Sequence, residues 1–254
     1  MASRKRGRLI DGVLLLDKPE GLSSNHALQR ARRAMDARKA GHTGTLDPFA
    51  TGLLICCFGR ATKLSTRLLE ADKTYLATLE LGVETDSGDL TGDVVHDVRS
   101  TMERVTEQAF MDVLPAFRGT IEQIPPMHSA LKKDGKPLYY YARKGIEVAR
   151  PPRQITIHQL ALVGIEGTQA QIMVHASKGT YIRTLAQDIG RSLGCGAHLS
   201  ALRRTQVGPF HIDQAITLEA LQALTMPESA LLSLDNLPDG LQLPGYSTNK
   251  ETQA

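Results

Sequence analysis

Gly41-His42-Thr43-Gly44-Thr45-Leu46-Asp47-Pro48-Phe49-Ala50-Thr51-Gly52-Leu53-Leu54 is a glycine- and threonine-rich turn that runs straight into an apolar stretch. Glycine takes tight turns and lets a backbone approach a ligand closely. Proline pushes the residue before it into extended geometry, so Asp47 is not expected in a helix. A single carboxylate pinned on such a loop suits nucleophilic or acid–base chemistry. It equally fits an Asx-Pro turn with no chemical role, because Asp-Pro is a common turn former. Outward from this stretch, Leu53 to Phe58 reads as a buried strand, and upstream Gly12 to Asp17 is a second short apolar run bounded by turn signals. Lys18-Pro19-Glu20-Gly21 is a turn, after which Ser23 or Ser24 can cap a helix to about Ala37 with basic residues outside.

Farther along, Thr62 opens a helix to about Glu70. Lys73 to Leu81 alternates, with Tyr75, Ala77, Leu79 and Leu81 on one face. Gly82 to Gly92 is a polar loop, 103–114 is helical, and 125–152 is a long connection carrying Tyr139, Tyr140 and Tyr141. Ile155 to Val163 and Gln169 to Ala176 form a hairpin around Gly164 and Gly167. Thr180 or Tyr181 starts a helix to about Leu193, Ala201 to Thr205 leads into a last strand, and Thr217 to Leu224 is helical. After Met226 the sequence reads as a poorly ordered, irregular tail. Strands and helices without strict βαβ alternation imply an α+β fold around a mixed, mostly antiparallel sheet flanked by helices.

The 254 residues are 41% hydrophobic and 22% charged, the balance of a globular chain. No apolar run is long enough to cross a bilayer, and the basic start at Arg4, Lys5, Arg6 and Arg8 is not a signal peptide, so the expected location is cytoplasmic. Cys56, Cys57 and Cys195 lack metal-ligand spacing and read as reduced apolar residues. Residues 226–254 carry −3 of a total +3, which leaves +6 on residues 1–225. Basic residues cluster in the N-terminal arm, around Arg30 to Lys39, and between Lys132 and Arg153. Basic runs are ordinarily solvated faces, but three of them, the last carrying Tyr139, Tyr140 and Tyr141, favour a nucleic-acid partner.

If Asp47 sits in a water-poor pocket it needs a cation to stay ionised. Arg183, in Ser177-Lys178-Gly179-Thr180-Tyr181-Ile182-Arg183-Thr184, is the candidate; it lies early in a helix, where the dipole disfavours a cation, and a solvated arginine is the competing reading. Tyr75 is either a packed core tyrosine or a stacking surface for a planar ligand, worth about 1–3 kcal/mol per base. His42 could be a base, a ligand contact or a structural histidine. No second histidine stands at metal spacing, and neither a Walker A nor a Gly-x-Gly-x-x-Gly pattern is present, so no metal and no cofactor are expected.

Lys18 to Ser24, Gly41 to Leu54, the Lys73-Thr74-Tyr75 strand, Ser177 to Leu185, Gly194-Cys195-Gly196-Ala197-His198-Leu199 and Leu202-Arg203-Arg204 occur in that order. Over about residues 9–225 the chain closely resembles the bacterial tRNA pseudouridine-55 synthases, the TruB family. The resemblance implies a pseudouridine synthase fold and an isomerase that breaks the N1–C1′ bond of one T-loop uridine of tRNA, rotates the uracil and rejoins it through C5, with no cofactor or metal. It makes Asp47 the nucleophile, Tyr75 the ring that stacks on the flipped uracil and a candidate for removing the C5 proton, and Arg183 the partner of Asp47. His42 supports the rearranged loop; Lys18, Tyr181 and Leu202 line the pocket; 125–152 is a thumb-like insertion that folds over the RNA.

The implied organisation is a basic arm at 1–8, a catalytic domain at 9–225 and an irregular tail at 226–254, without the family's usual C-terminal PUA domain. The partner is the tRNA T-arm, with no membrane and a monomer as default. Two other functions stay open: a non-catalytic RNA-binding or RNA-folding module, against which the intact Asp47, Tyr75 and Arg183 argue, and a small-molecule lyase using Asp47 and His42, which leaves the basic thumb unexplained. Isomerisation and RNA folding can coexist, since flipping a base remodels its RNA.

Overall fold

The computed structural model describes residues 7–243, so the arginines and lysine of the N-terminal arm before Gly7, and the last residues of the tail, lie outside it. In chain order the elements are β1 (Gly12–Lys18), α1 (Ser24–Ala34), β2 (Ala40–Thr43), β3 (Thr51–Phe58), α2 (Ser65–Glu70), β4 (Lys73–Leu81), β5 (Val83–Thr85), β6 (Val94–Asp97), α3 (Glu107–Val113) and β7 (Gly119–Gln123). Then come β8 (Lys132–Lys133), β9 (Lys136–Pro137), α4 (Leu138–Ala142), β10 (Arg153–Glu166), β11 (Gln169–Ala176), α5 (Ile182–Ser192), β12 (Ala197–Val207), β13 (Phe210–His211), β14 (Ile216–Thr217) and α6 (Leu218–Ala223). The fold is α+β with mixed, mostly antiparallel strand pairing and helices laid on it. The chain divides into two compact units, Met1–Ala71 with Arg203–Ala254, and Asp72–Leu202.

In the first unit the strand order is β14–β1–β3–β12, with β2 also on β3 and β13 on β12. β1 and β3 run antiparallel with Leu14 opposite Cys56 and Leu16 opposite Leu54. Both strands are apolar at nearly every position because both faces are covered. Val13, Leu15, Leu53, Ile55 and Cys57 pack with Leu64, Leu68 and Phe210 on one side. Leu14, Leu16, Leu54, Cys56 and Phe58 pack with Ala27, Leu28 and Ala31 of α1 and Leu221 of α6 on the other. The Ser23 side chain accepts from His26 N and caps α1.

The tail differs from its sequence reading. Leu232 exchanges backbone hydrogen bonds with Val13 at 3.0 and 2.8 Å, and Leu234, Leu237 and Leu241 are buried in the first unit's core. Polar and proline-rich composition hid three leucines whose partners lie at the far end of the chain.

In the second unit β4, β11, β10 and β7 pair antiparallel throughout, with Tyr75 opposite Val174 and Ala77 opposite Ile172. Alternation here is real: Ala77, Leu79, Leu81, Ala170, Ile172 and Val174 are buried. α5 packs against β4 and α3 against β10. The helix read at 103–114 is shorter, with a 3₁₀ turn at Leu114–Phe117, and the polar loop read at 82–92 begins with β5. Segment 125–152 is not plain connection: β8 and β9 form a small hairpin and α4 carries the three tyrosines.

Candidate active site

The Asp47 loop is fastened on both flanks within the first unit. The buried Ser24 hydroxyl donates to the Leu46 carbonyl at 2.9 Å and accepts from the Leu46 N–H at 2.8 Å. One side chain thereby does what a neighbouring strand would do for that peptide. On the other flank, the Pro48 carbonyl accepts from Gly21 N at 2.8 Å and from Lys18 Nζ at 3.3 Å. Ala50 N donates to the Asp47 carbonyl at 3.1 Å, closing a turn. Asp47 itself is half-buried.

Lys18, predicted to line a pocket, is wholly buried, and its amine also donates to the Pro19 and Leu22 carbonyls at 2.8 and 2.6 Å. Burial lowers its pKa to about 8, while the nearby Asp47 carboxylate pulls the other way. His42 lies on β2 opposite Cys56, not in the loop as read from sequence, because the Gly-His-Thr run pairs with β3. Burial and then the Arg204 charge hold its pKa below the ordinary histidine value, so it is neutral at pH 7, and its Nδ1 has no hydrogen-bond partner. An open cleft of about 450 Å³ beside this turn is lined by Asp17, Lys18, Arg30, Thr51, Arg203 and Glu219, among others, with Arg203 gripped by the Asp17 carboxylate at 3.1 and 2.8 Å.

The second unit holds the other predicted residues. Tyr75 is half-buried near the start of β4, and Leu202 is buried. Arg183 is buried rather than solvated: it donates to the Ser87 carbonyl at 3.1 Å and the His128 carbonyl at 2.6 Å, and lies 3.4 Å from Asp89 Oδ2. Asp89 is held in turn by Ser87 Oγ at 2.9 Å and Thr91 Oγ1 at 2.6 Å. Tyr181 stands at the N-cap of α5 with no side-chain cap of its own; the Gln123 amide exchanges two hydrogen bonds with its backbone, at 3.0 and 2.8 Å. In the insertion, the Lys136 and Lys144 ammonium groups sit 4.8 and 4.5 Å from the Tyr140 ring centre, and the Arg143 guanidinium 5.4 Å from that of Tyr139.

The structure therefore gathers Asp47, Lys18 and His42 in one unit, and Tyr75, Tyr181, Arg183 and Leu202 in the other. Ser24, Asp89, Gln123 and Arg204 were missed as functional positions. Ser87-Gly88-Asp89-Leu90-Thr91 has the look of a local side-chain turn, which was the available signal for Asp89; Ser24 and Arg204 lie in segments that carry the family resemblance, and Gln123 carries no signal. Among the described residues no group of three or more His, Cys, Asp or Glu side chains is placed to hold a metal ion, and no helix is long and apolar enough to cross a membrane.

A family model for the TruB family pseudouridylate synthase N-terminal domain matches residues 32–182, and one for the tRNA pseudouridylate synthase B C-terminal domain matches residues 183–237. The chain is 68% identical over 239 residues to the tRNA pseudouridine synthase B of Bordetella pertussis, covering 94% of this chain and 98% of that one. To the tRNA pseudouridine synthase B of Burkholderia mallei it is 59% identical over 225 residues, covering 89% of this chain and 71% of that one. Among solved structures it superposes on a chain of a Cbf5-Nop10-Gar1 complex with TM-score 0.68 and 31% identity, covering 87% of this chain and 59% of that chain. With the loop sequence and both matched segments in agreement, the chain belongs to the TruB family of pseudouridylate synthases.

Proposed function

We propose that this chain isomerises uridine to pseudouridine at position 55 in the T-loop of tRNA, with Asp47 as nucleophile. The observation that supports the reading is that the neighbours of Asp47 on both sides, Leu46 and Pro48, are tied down by Ser24, Gly21 and Lys18, which fixes the loop that carries its carboxylate. Such a group can be aimed at one carbon without first being ordered.

A uracil stacked in a loop hides C1′ and C6, so it must be extruded, at a cost of a few kcal/mol. Stacking on Tyr75 and phosphate contacts from the basic segments offset that cost. Asp47 then attacks at C1′, displacing N1, or adds at C6; the N1–C1′ bond breaks, the uracil turns over, C5 bonds to C1′, the bond from Asp47 to carbon breaks to free the carboxylate, and the C5 proton leaves as N1 gains one. The rearrangement conserves atoms, so no activated water is required, and a single carboxylate suits it better than the carboxylate pair of glycoside hydrolysis. Arg183 serves as the cation that keeps Asp47 ionised, fixed on its own side by Asp89 and two carbonyls. Tyr181 and Leu202 line the base pocket, and His42, neutral and paired through its strand with β3, supports the loop by shape. The cation-flanked tyrosines of 125–152 contact the T-arm backbone. The chain acts as a monomer in the cytoplasm.

The test is tritium release from C5-labelled uridine in T-arm RNA, wild type against Asp47→Asn. Release is expected from wild type only, and equal release from both removes Asp47 from the chemistry. Modification mapping of tRNA from cells lacking the gene checks the position.

A further inference from the structure

Arg204 has no part in the mechanism above, yet it is 1% exposed and among the largest fully buried side chains described. Burying a guanidinium is costly unless its donors are used. Its Nε donates to the Leu53 carbonyl at 2.8 Å and its Nη2 to the Gly44 carbonyl at 3.2 Å. Those two carbonyls lie on opposite sides of Asp47, so one planar fork closes the loop across its base. The backbone around it is built for the approach. Arg204 stands opposite Gly52 in parallel register, and Gly52 has φ +103° with no room for a Cβ, which would collide with the Arg204 carbonyl oxygen and amide nitrogen. Gly44 has φ +82°, which turns its carbonyl as few other residues could. Lysine could supply the charge, but not two donors fixed in one plane.

We propose that Arg204 is the positioning residue for Asp47: by holding the Gly44 and Leu53 carbonyls on one guanidinium it sets the aim of the carboxylate between them. This rests on the reading of Asp47 as nucleophile.

Arg204→Lys keeps the charge and loses the fork. Three measurements on the full chain decide the matter: single-turnover tritium release, filter binding of the same T-arm RNA, and amide hydrogen exchange of the peptide covering residues 44–53. The expected result is a rate about 100-fold lower, as a displacement of about 1 Å at a reacting group can produce. RNA affinity stays within about threefold, and exchange rises in that peptide and not elsewhere. Arg204→Ala is expected to recover part of its rate in millimolar guanidinium, a response that a packing defect would not show. A rate within about threefold of wild type, or unchanged exchange in 44–53, overturns the proposal. So does loss of folding in both variants, which would make Arg204 a residue of the core. If wild type releases no tritium, the functional reading fails by itself, and the exchange comparison still decides whether Arg204 holds the loop.

Discussion

Lys18 shows how far a single side chain can depart from its type. A lysine ammonium has three donors, and here three carbonyls, of Pro19, Leu22 and Pro48, receive them. Burial nonetheless lowers its pKa from the ordinary 10.5 to about 8. The unfolded chain therefore holds that proton more tightly than the folded one. Lys18 weakens the fold below pH 8, and the penalty lifts as pH rises from about 8 to 10.5. The effect on rate has the opposite sign. Loss of the proton removes one donor from the loop and a positive charge from beside Asp47. The pH–rate profile of tritium release is expected to fall as pH rises through about 8, and Lys18→Arg is expected to move that limb upward. An unchanged limb in the variant assigns it to another group. His42 behaves differently: its proton is disfavoured in the fold, so stability falls as pH drops below the ordinary 6.5.

At the scale of elements, β1 and β3 were legible because they are apolar at nearly every position, the pattern of strands covered on both faces. The consequence is that no position on β3 is spare. Leu54 has no exposed surface and sits between β1 and α1. Leu54→Ala is expected to lower stability by about 2–5 kcal/mol, read from the denaturant midpoint. α1 was legible from its serine cap and the basic residues of its outer face, although it stops at Ala34 where the sequence suggested Ala37. His42 was misplaced because glycine and threonine in Gly41-His42-Thr43 look like loop chemistry; pairing with β3 overrides the local preference.

For the molecule as a whole, the misreading of the C-terminal segment carries the clearest prediction. Composition after Met226 is poor in periodic pattern, yet Leu234, Leu237 and Leu241 fill the core beside Val13 and Leu15. A chain ending at Met226 loses those side chains, each worth about 1.5–3 kcal/mol on burial, together with the Leu232 pairing. It is expected to unfold several kcal/mol more easily and to bind an exposed-surface dye. A truncated chain as stable as the full one would restore the tail reading.

The sequence by itself determined the α+β class, the kinship and the loop that presents Asp47. Glycine, proline and unbroken apolar runs act on the backbone within a few residues, so their effects can be read locally. Only the tertiary structure decided what holds that loop. Ser24 meets Leu46 across 22 positions and Arg204 meets Gly44 across 160, and a buried donor finds its acceptor through the packing of strands, which no local pattern encodes.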